Sequence, residues 1–174
     1  MFKWIKRKIL RKLSRDKSRL SPREIAADAD TFAEGFRQLG IKHFCYREFL
    51  YPGASHNDTR SRGYGLNGTP PKRLWPHIYE LAILADEIRY RLNAPIKLLS
   101  VYRSERYNSA IGGASLSMHK EGKAMDCTSP QKPATELHRV AMGARKDGLF
   151  KGGIGYYPRS NFVHIDIRGR DADW

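Results

Sequence analysis

The sequence predicts an α+β domain: a small antiparallel sheet that carries the candidate site, helices packed on one side of it, and a basic amphipathic helix at the N-terminus. Three observations carry that prediction. Apolar residues recur at helical spacing in the first half of the chain, most clearly at Leu74, Ile78, Leu81, Ala82, Ala85 and Ile88. Runs with strand character crowd into the second half, at Ile96–Arg103, Lys123–Thr128, Gly153–Tyr157 and Phe162–Arg168. One helical stretch, Thr135–Lys146, lies among them, so the order lacks the regular alternation of a parallel α/β sheet.

Taken in order, residues 1–21 read as a basic extension and residues 22–174 as the domain. Phe2, Ile5, Ile9 and Leu13 fall on one side of a helix, and Lys3, Lys6, Arg7, Lys8, Arg11, Lys12 and Arg15 cover the rest. Ser21-Pro22 supplies an N-cap and a first-turn proline for a short helix through Ile25–Leu39, stopped by Gly40. Tyr51 to Pro71 reads as a long surface loop rich in Gly, Pro and Asn. Pro71 opens the strongest helix, which Asn93-Ala94-Pro95 ends near Leu92. Gly122 marks a tight turn before the strand Lys123–Thr128. Pro158-Arg159-Ser160-Asn161 joins the last two strands as an antiparallel hairpin.

The 174 residues, with 7 Phe, 9 Tyr and 3 Trp, suffice for one packed core and exclude a disordered chain. The net charge of +14 is uneven, since residues 1–20 contribute +8 and leave +6 for the other 154. That excess favours an anionic partner. No nucleic-acid reader motif accompanies it, so specific nucleic-acid binding is not expected. Cys45 and Cys127 make no disulfide framework and read as two buried thiols. No run of about 18 apolar residues suggests a membrane-spanning helix. Charge interrupts the N-terminus too often for a signal peptide, so the chain is expected to fold in the cytoplasm.

The chemistry concentrates in Ser117-Met118-His119-Lys120-Glu121-Gly122-Lys123-Ala124-Met125-Asp126 and, further on, Phe162-Val163-His164-Ile165-Asp166. Two imidazoles and a carboxylate are the ligand types a catalytic zinc takes when its fourth position stays open for water. The Gly122 turn lets His119 and Asp126 converge, and a strand carrying His164 beside Lys123–Thr128 would complete the set. Period-2 geometry puts Asp166 on the face of His164. His43, His56, His77 and His138 lack partner spacing and read as surface or partly buried residues.

Ser-x-His-x-x-Gly-x-Ala-x-Asp followed by Phe-Val-His-x-Asp resembles the zinc D-Ala-D-Ala carboxypeptidases and peptidoglycan peptidases of family M15, most of all their short variants. Tyr102-Arg103-Ser104, Tyr107-Asn108, Gly112-Gly113 and Gly153-Ile154-Gly155-Tyr156-Tyr157 extend the resemblance from Phe44 to Trp174. It implies zinc bound by His119, Asp126 and His164, and substrate held by Arg103, Ser117 and Tyr102. A guanidinium suits that task, because its planar fork grips both oxygens of a carboxylate. The implied activity is hydrolysis of amide bonds in peptidoglycan stem peptides or cross-links, by a carboxypeptidase or an endopeptidase, at the bacterial cell wall or periplasm.

One position departs from the family pattern. Many relatives carry an acidic general base three residues before the last zinc histidine, where this chain has Asn161. Asp166 is then the candidate base, or alternatively orients a ligand histidine or ties down Arg168. Glu121, in the turn between ligands, is the weaker candidate. The competing class is a zinc-stabilised cell-wall-binding module of hedgehog-like type that cleaves nothing. A third reading makes the N-terminal helix a membrane-disrupting peptide on an inert carrier. Residues 1–20 are expected to meet anionic membrane or lipopolysaccharide, in a phage-type lysis or host-penetration protein.

Overall fold

The computed structural model describes residues 20–174; the expected N-terminal helix lies outside them. Ser21 caps α1 (Pro22–Asp28) through a capping box, its hydroxyl accepting from Glu24 N–H while the Glu24 carboxylate accepts from Ser21 N–H. The single helix expected over Ile25–Leu39 is two. Thr31 starts a new one, α2 (Phe32–Gln38), by accepting from Glu34 N–H, and extended backbone at Ala29 separates the pair. Two short helices follow, α3 (Tyr46–Phe49) and α4 (Ala54–Asn57), the latter inside the expected loop. A 3-10 turn over Lys72–Leu74 leads into α5 (Trp75–Leu92), which ends at left-handed Asn93.

Among the described residues, five strands form one sheet in the order β1-β2-β4-β3-β5. They are β1 (Lys97–Ser100), β2 (Ala124–Thr128), β3 (Gly153–Tyr157), β4 (Phe162–Asp166) and β5 (Ala172–Asp173). Helix α6 (Glu105–Ala110) lies between β1 and β2, and α7 (Ala134–Lys146) between β2 and β3. The first three pairings are antiparallel, as expected. The sheet is nonetheless mixed, because the chain reverses after β4 and lies beyond β3, parallel to it.

Strand alternation divides the sheet into two faces. Met125, Cys127, Ile154, Val163 and Ile165 are buried in the core with Leu81 and Ile88 of α5 and Leu137 and Ala141 of α7. Asp126, His164 and Asp166 point the other way. Cys127 is thus buried as expected, and burial pushes its thiol well up. Cys45 is exposed instead, because it occupies the N-cap position of α3, where the chain enters from solvent.

Candidate metal centre

The β2–β4 register sets Asp126 directly opposite His164, so their side chains share one face at the middle of the sheet. His119 arrives from a 3-10 turn over Met118–Glu121 that leads into β2. Gly122 closes this turn at φ +62°, a left-handed conformation that a side-chain-bearing residue adopts only with strain. Its missing Cβ would lie 3.2 Å from Cγ1 of Ile78, so the turn also seats against α5.

Hydrogen bonding decides which atoms face inward. His119 Nδ1 lies 2.7 Å from the Val101 carbonyl, an acceptor only, so this nitrogen carries the proton and Nε2 keeps its lone pair. Nε2 is buried without a hydrogen-bond partner, 3.2 Å from Asp126 Oδ1. On the other side, His164 Nδ1 lies 2.8 Å from the same oxygen, and its Nε2 faces Asp166 Oδ2 at 3.2 Å. A proton on His164 Nε2, given to Asp166, leaves the Nδ1 lone pair facing inward. One ligand atom from each of His119, Asp126 and His164 lies within 4.8 Å of the others. Ligand atoms about 2.1 Å from a shared tetrahedral ion would stand about 3.4 Å apart. The observed spacings of 3.2 and 2.8 Å are close to that, and a cation would satisfy the orphaned His119 Nε2. The residues therefore fit a metal ion.

Electrostatics follow this arrangement. Burial lowers the pKa of His119 more than the Asp126 carboxylate raises it. Burial also pulls His164 down, but Asp126 and Asp166 outweigh it and hold the ring above its ordinary value. For Asp126, burial favours protonation, yet His119, His164 and Arg103 keep the carboxylate ionised far below its usual range.

The remaining site residues are placed as follows. Arg103 lines the groove above the cluster; its Nη2 bonds Asp126 Oδ2 and its Nε donates to Ser100 Oγ at 2.8 Å. Ser117 lines the same groove. Tyr102 does not: its half-buried ring packs on the core, and its carbonyl accepts from Asn67 Nδ2. Asp166 is fully buried and accepts from Gly153 N–H, Arg168 N–H and the Arg168 guanidinium at 2.5 to 3.1 Å. These bonds, with His164, outweigh burial and hold its carboxyl well below the usual range. Asn161 stands off the groove at φ +49°, its Oδ1 accepting from Ala134 N–H at the start of α7. Glu121 is exposed, and its carbonyl faces His77 Nδ1 at 2.9 Å.

Sequence reasoning missed several residues that shape the site. Asn67 is buried in the expected surface loop, and its amide spans Pro52, Tyr102 and Ser104, tying that loop to the segment bearing Arg103. Leu116, Tyr157, Phe162, Arg168 and Trp174 line the groove of about 510 Å³. The surplus of Gly in Gly152-Gly153-Ile154-Gly155 was the one signal that something bulky lies against β3.

Comparison with known proteins gives the family. Residues 53–166 match the family model for peptidase M15. The chain belongs to the peptidase M15 family. The matched span of this M15 chain contains all three clustered residues. The peptidoglycan L,D-endopeptidase MepK of Escherichia coli K12 is 40% identical over 77 residues, covering 41% of this chain and 40% of that protein. A probable peptidoglycan L,D-endopeptidase MepK of Haemophilus influenzae is 37% identical over 79 residues, covering 42% and 40%. The chain thus spans about two fifths of the length of the curated relatives it matches. Among the described residues, no helix is long and apolar enough to cross a membrane.

Proposed function

We propose that the protein is a zinc-dependent endopeptidase that hydrolyses an amide bond in the peptide stems or cross-links of bacterial peptidoglycan. The observation that carries this reading is the convergence of His119 Nε2, His164 Nδ1 and Asp126 on the floor of an open groove. M15 membership and relatives named as L,D-endopeptidases support it, and favour an internal L,D bond over a terminal D,D bond. Two nitrogens and an oxygen suit zinc, which supplies Lewis-acid polarisation of the scissile carbonyl and makes hydroxide available near neutral pH.

The protein's own groups then bind and orient. Arg103, already bonded to the outer oxygen of Asp126, offers donors to a substrate carboxylate or carbonyl, and Ser117 contacts the substrate backbone across the groove. Tyr102 contributes from below, where Asn67 anchors its carbonyl and so steadies Arg103. For Asp166, burial and its bonds to Arg168 and Gly153 favour orienting His164 over accepting a proton from water.

The test is digestion of purified peptidoglycan with and without chelator, read as released muropeptides. Products that vanish on chelation and return with zinc support the proposal. One observation favours the competing reading of a zinc-stabilised binding module: among the described residues lining the groove, Asp126 has the sole acidic side chain. Stoichiometric zinc, retained peptidoglycan binding and no products would establish the module. Residues 1–21 are proposed as a separate extension that meets anionic lipid or lipopolysaccharide. Deleting residues 1–20 should weaken binding to anionic vesicles and leave zinc content unchanged; equal vesicle binding refutes that role.

A further inference from the structure

The groove has an aromatic wall that the metal chemistry does not use. Trp174 follows β5 and is bound into the sheet edge, with its N–H donating to the Ile154 carbonyl and its carbonyl accepting from Tyr156 N–H. Its indole ring lies across Gly153 and Gly155 of β3. A Cβ on Gly153 would come within 2.9 Å of the ring, and one on Gly155 within 2.7 Å of Nε1. Nε1 donates to the Tyr157 hydroxyl at 2.8 Å, which satisfies the indole's one polar atom. The Arg168 guanidinium stacks on the ring 5.1 Å from its centre. The ring also lies 5.3 Å from that of His164, centre to centre.

A tryptophan fixed so closely, still half exposed at 50% and lining the groove, offers the uncovered part of its ring to whatever enters. Leu116 lines the same groove and is 86% exposed. Nothing in the fold needs these two side chains in solvent, and exposed apolar groups clustered at a site mark a contact surface.

We infer that Trp174, held by Tyr157, Gly153 and Gly155, is a specificity-determining residue whose ring packs against a saturated C–H face of the substrate beside the scissile bond. This inference rests on the proposed peptidase reading. Two parts of peptidoglycan carry such a face, the pyranose rings of the glycan and the aliphatic side chains of the stem. Both pack on an indole by the same dispersion and C–H to ring contact.

The experiment uses the zinc-loaded full chain and two soluble ligands, a free stem peptide and the same peptide bearing its disaccharide. Binding of their cleavage products is followed by tryptophan fluorescence in the wild type, Trp174→Phe, Trp174→Ala and Gly155→Ala. The wild-type emission should change on binding, and the Trp174→Phe signal should not. Trp174→Ala should raise KM about three- to tenfold with kcat and zinc content retained. Gly155→Ala, which displaces the ring without removing it, should raise KM in the same direction. Tyr90→Ala, an exposed aromatic on α5 away from the groove, serves as the unaffected control. A KM effect confined to the glycan-bearing ligand assigns the sugar, and an equal effect on both assigns the stem. Unchanged KM in Trp174→Ala, together with wild-type emission that does not respond to the ligands, overturns the inference while leaving the peptidase intact. Fluorescence change without hydrolysis overturns the peptidase reading instead.

Discussion

Replacing Asp166 with Asn separates its two candidate jobs, and the structure fixes how much each outcome should cost. The carboxylate is fully buried and serves four partners at once: Gly153 N–H, Arg168 N–H, the Arg168 guanidinium and His164 Nε2. All four are donors when His164 presents Nδ1 to the metal. An amide offers one accepting oxygen and one NH2 donor, so at least one partner is left facing a donor. Removing one side of a buried ion pair costs about 3–5 kcal/mol. Arg168 retains 24% side-chain exposure and can turn to water, which points to the lower end, about 3 kcal/mol. For a chain of this size that lowers Tm by about 6–12 °C. Loss of the orienting bond to His164 should weaken zinc binding about 10- to 100-fold. The assay is competition against a fluorescent zinc chelator, with kcat then measured at saturating zinc. Weakened zinc affinity with kcat largely restored by excess metal is the expected result. Unchanged zinc affinity, with kcat down 10²- to 10⁴-fold, would show that Asp166 is the general base and refute the orienting role.

Two further outcomes follow from the same geometry. Gly122→Ala forces a left-handed conformation on a residue with a Cβ, at about 1–2 kcal/mol, and should lower Tm by about 2–8 °C in thermal melts; an unchanged Tm contradicts the strain argument. For the metal-free protein, the depressed Asp166 carboxyl gives stability that is complete above its ordinary pKa of about 4 and is lost as pH falls through the lower folded value. The Tm gap between wild type and Asp166→Asn should therefore narrow as pH falls from about 5 to about 2, and a constant gap contradicts it.

Much of the centre was legible because its parts are local in sequence or follow strand period. Gly122 announced the turn that lets His119 and Asp126 meet, and the Phe162–Asp166 run announced a strand with His164 and Asp166 on one face. What escaped depends on long-range packing. Asn67 lies 35 residues from the Tyr102 carbonyl that it grips, and no pattern in its own loop reveals that bond. Trp174 meets β3 through β5, whose two residues are too few to show a strand period. The break between α1 and α2 was readable in hindsight, since Thr31 followed by Glu34 is a helix-start signal that the apolar periodicity overrode. Exposure of Cys45 turned on its N-cap position, which its residue type does not favour.

The central claim is that His119, Asp126 and His164 together bind one zinc ion. X-ray absorption at the zinc edge, combined with elemental analysis of the purified full chain, tests it most directly. The account predicts one zinc per chain with two imidazole nitrogens and a carboxylate oxygen among its ligands, and loss of that zinc in His119→Ala. A chain that takes up no zinc, or one whose zinc survives His119→Ala with its ligands unchanged, contradicts it.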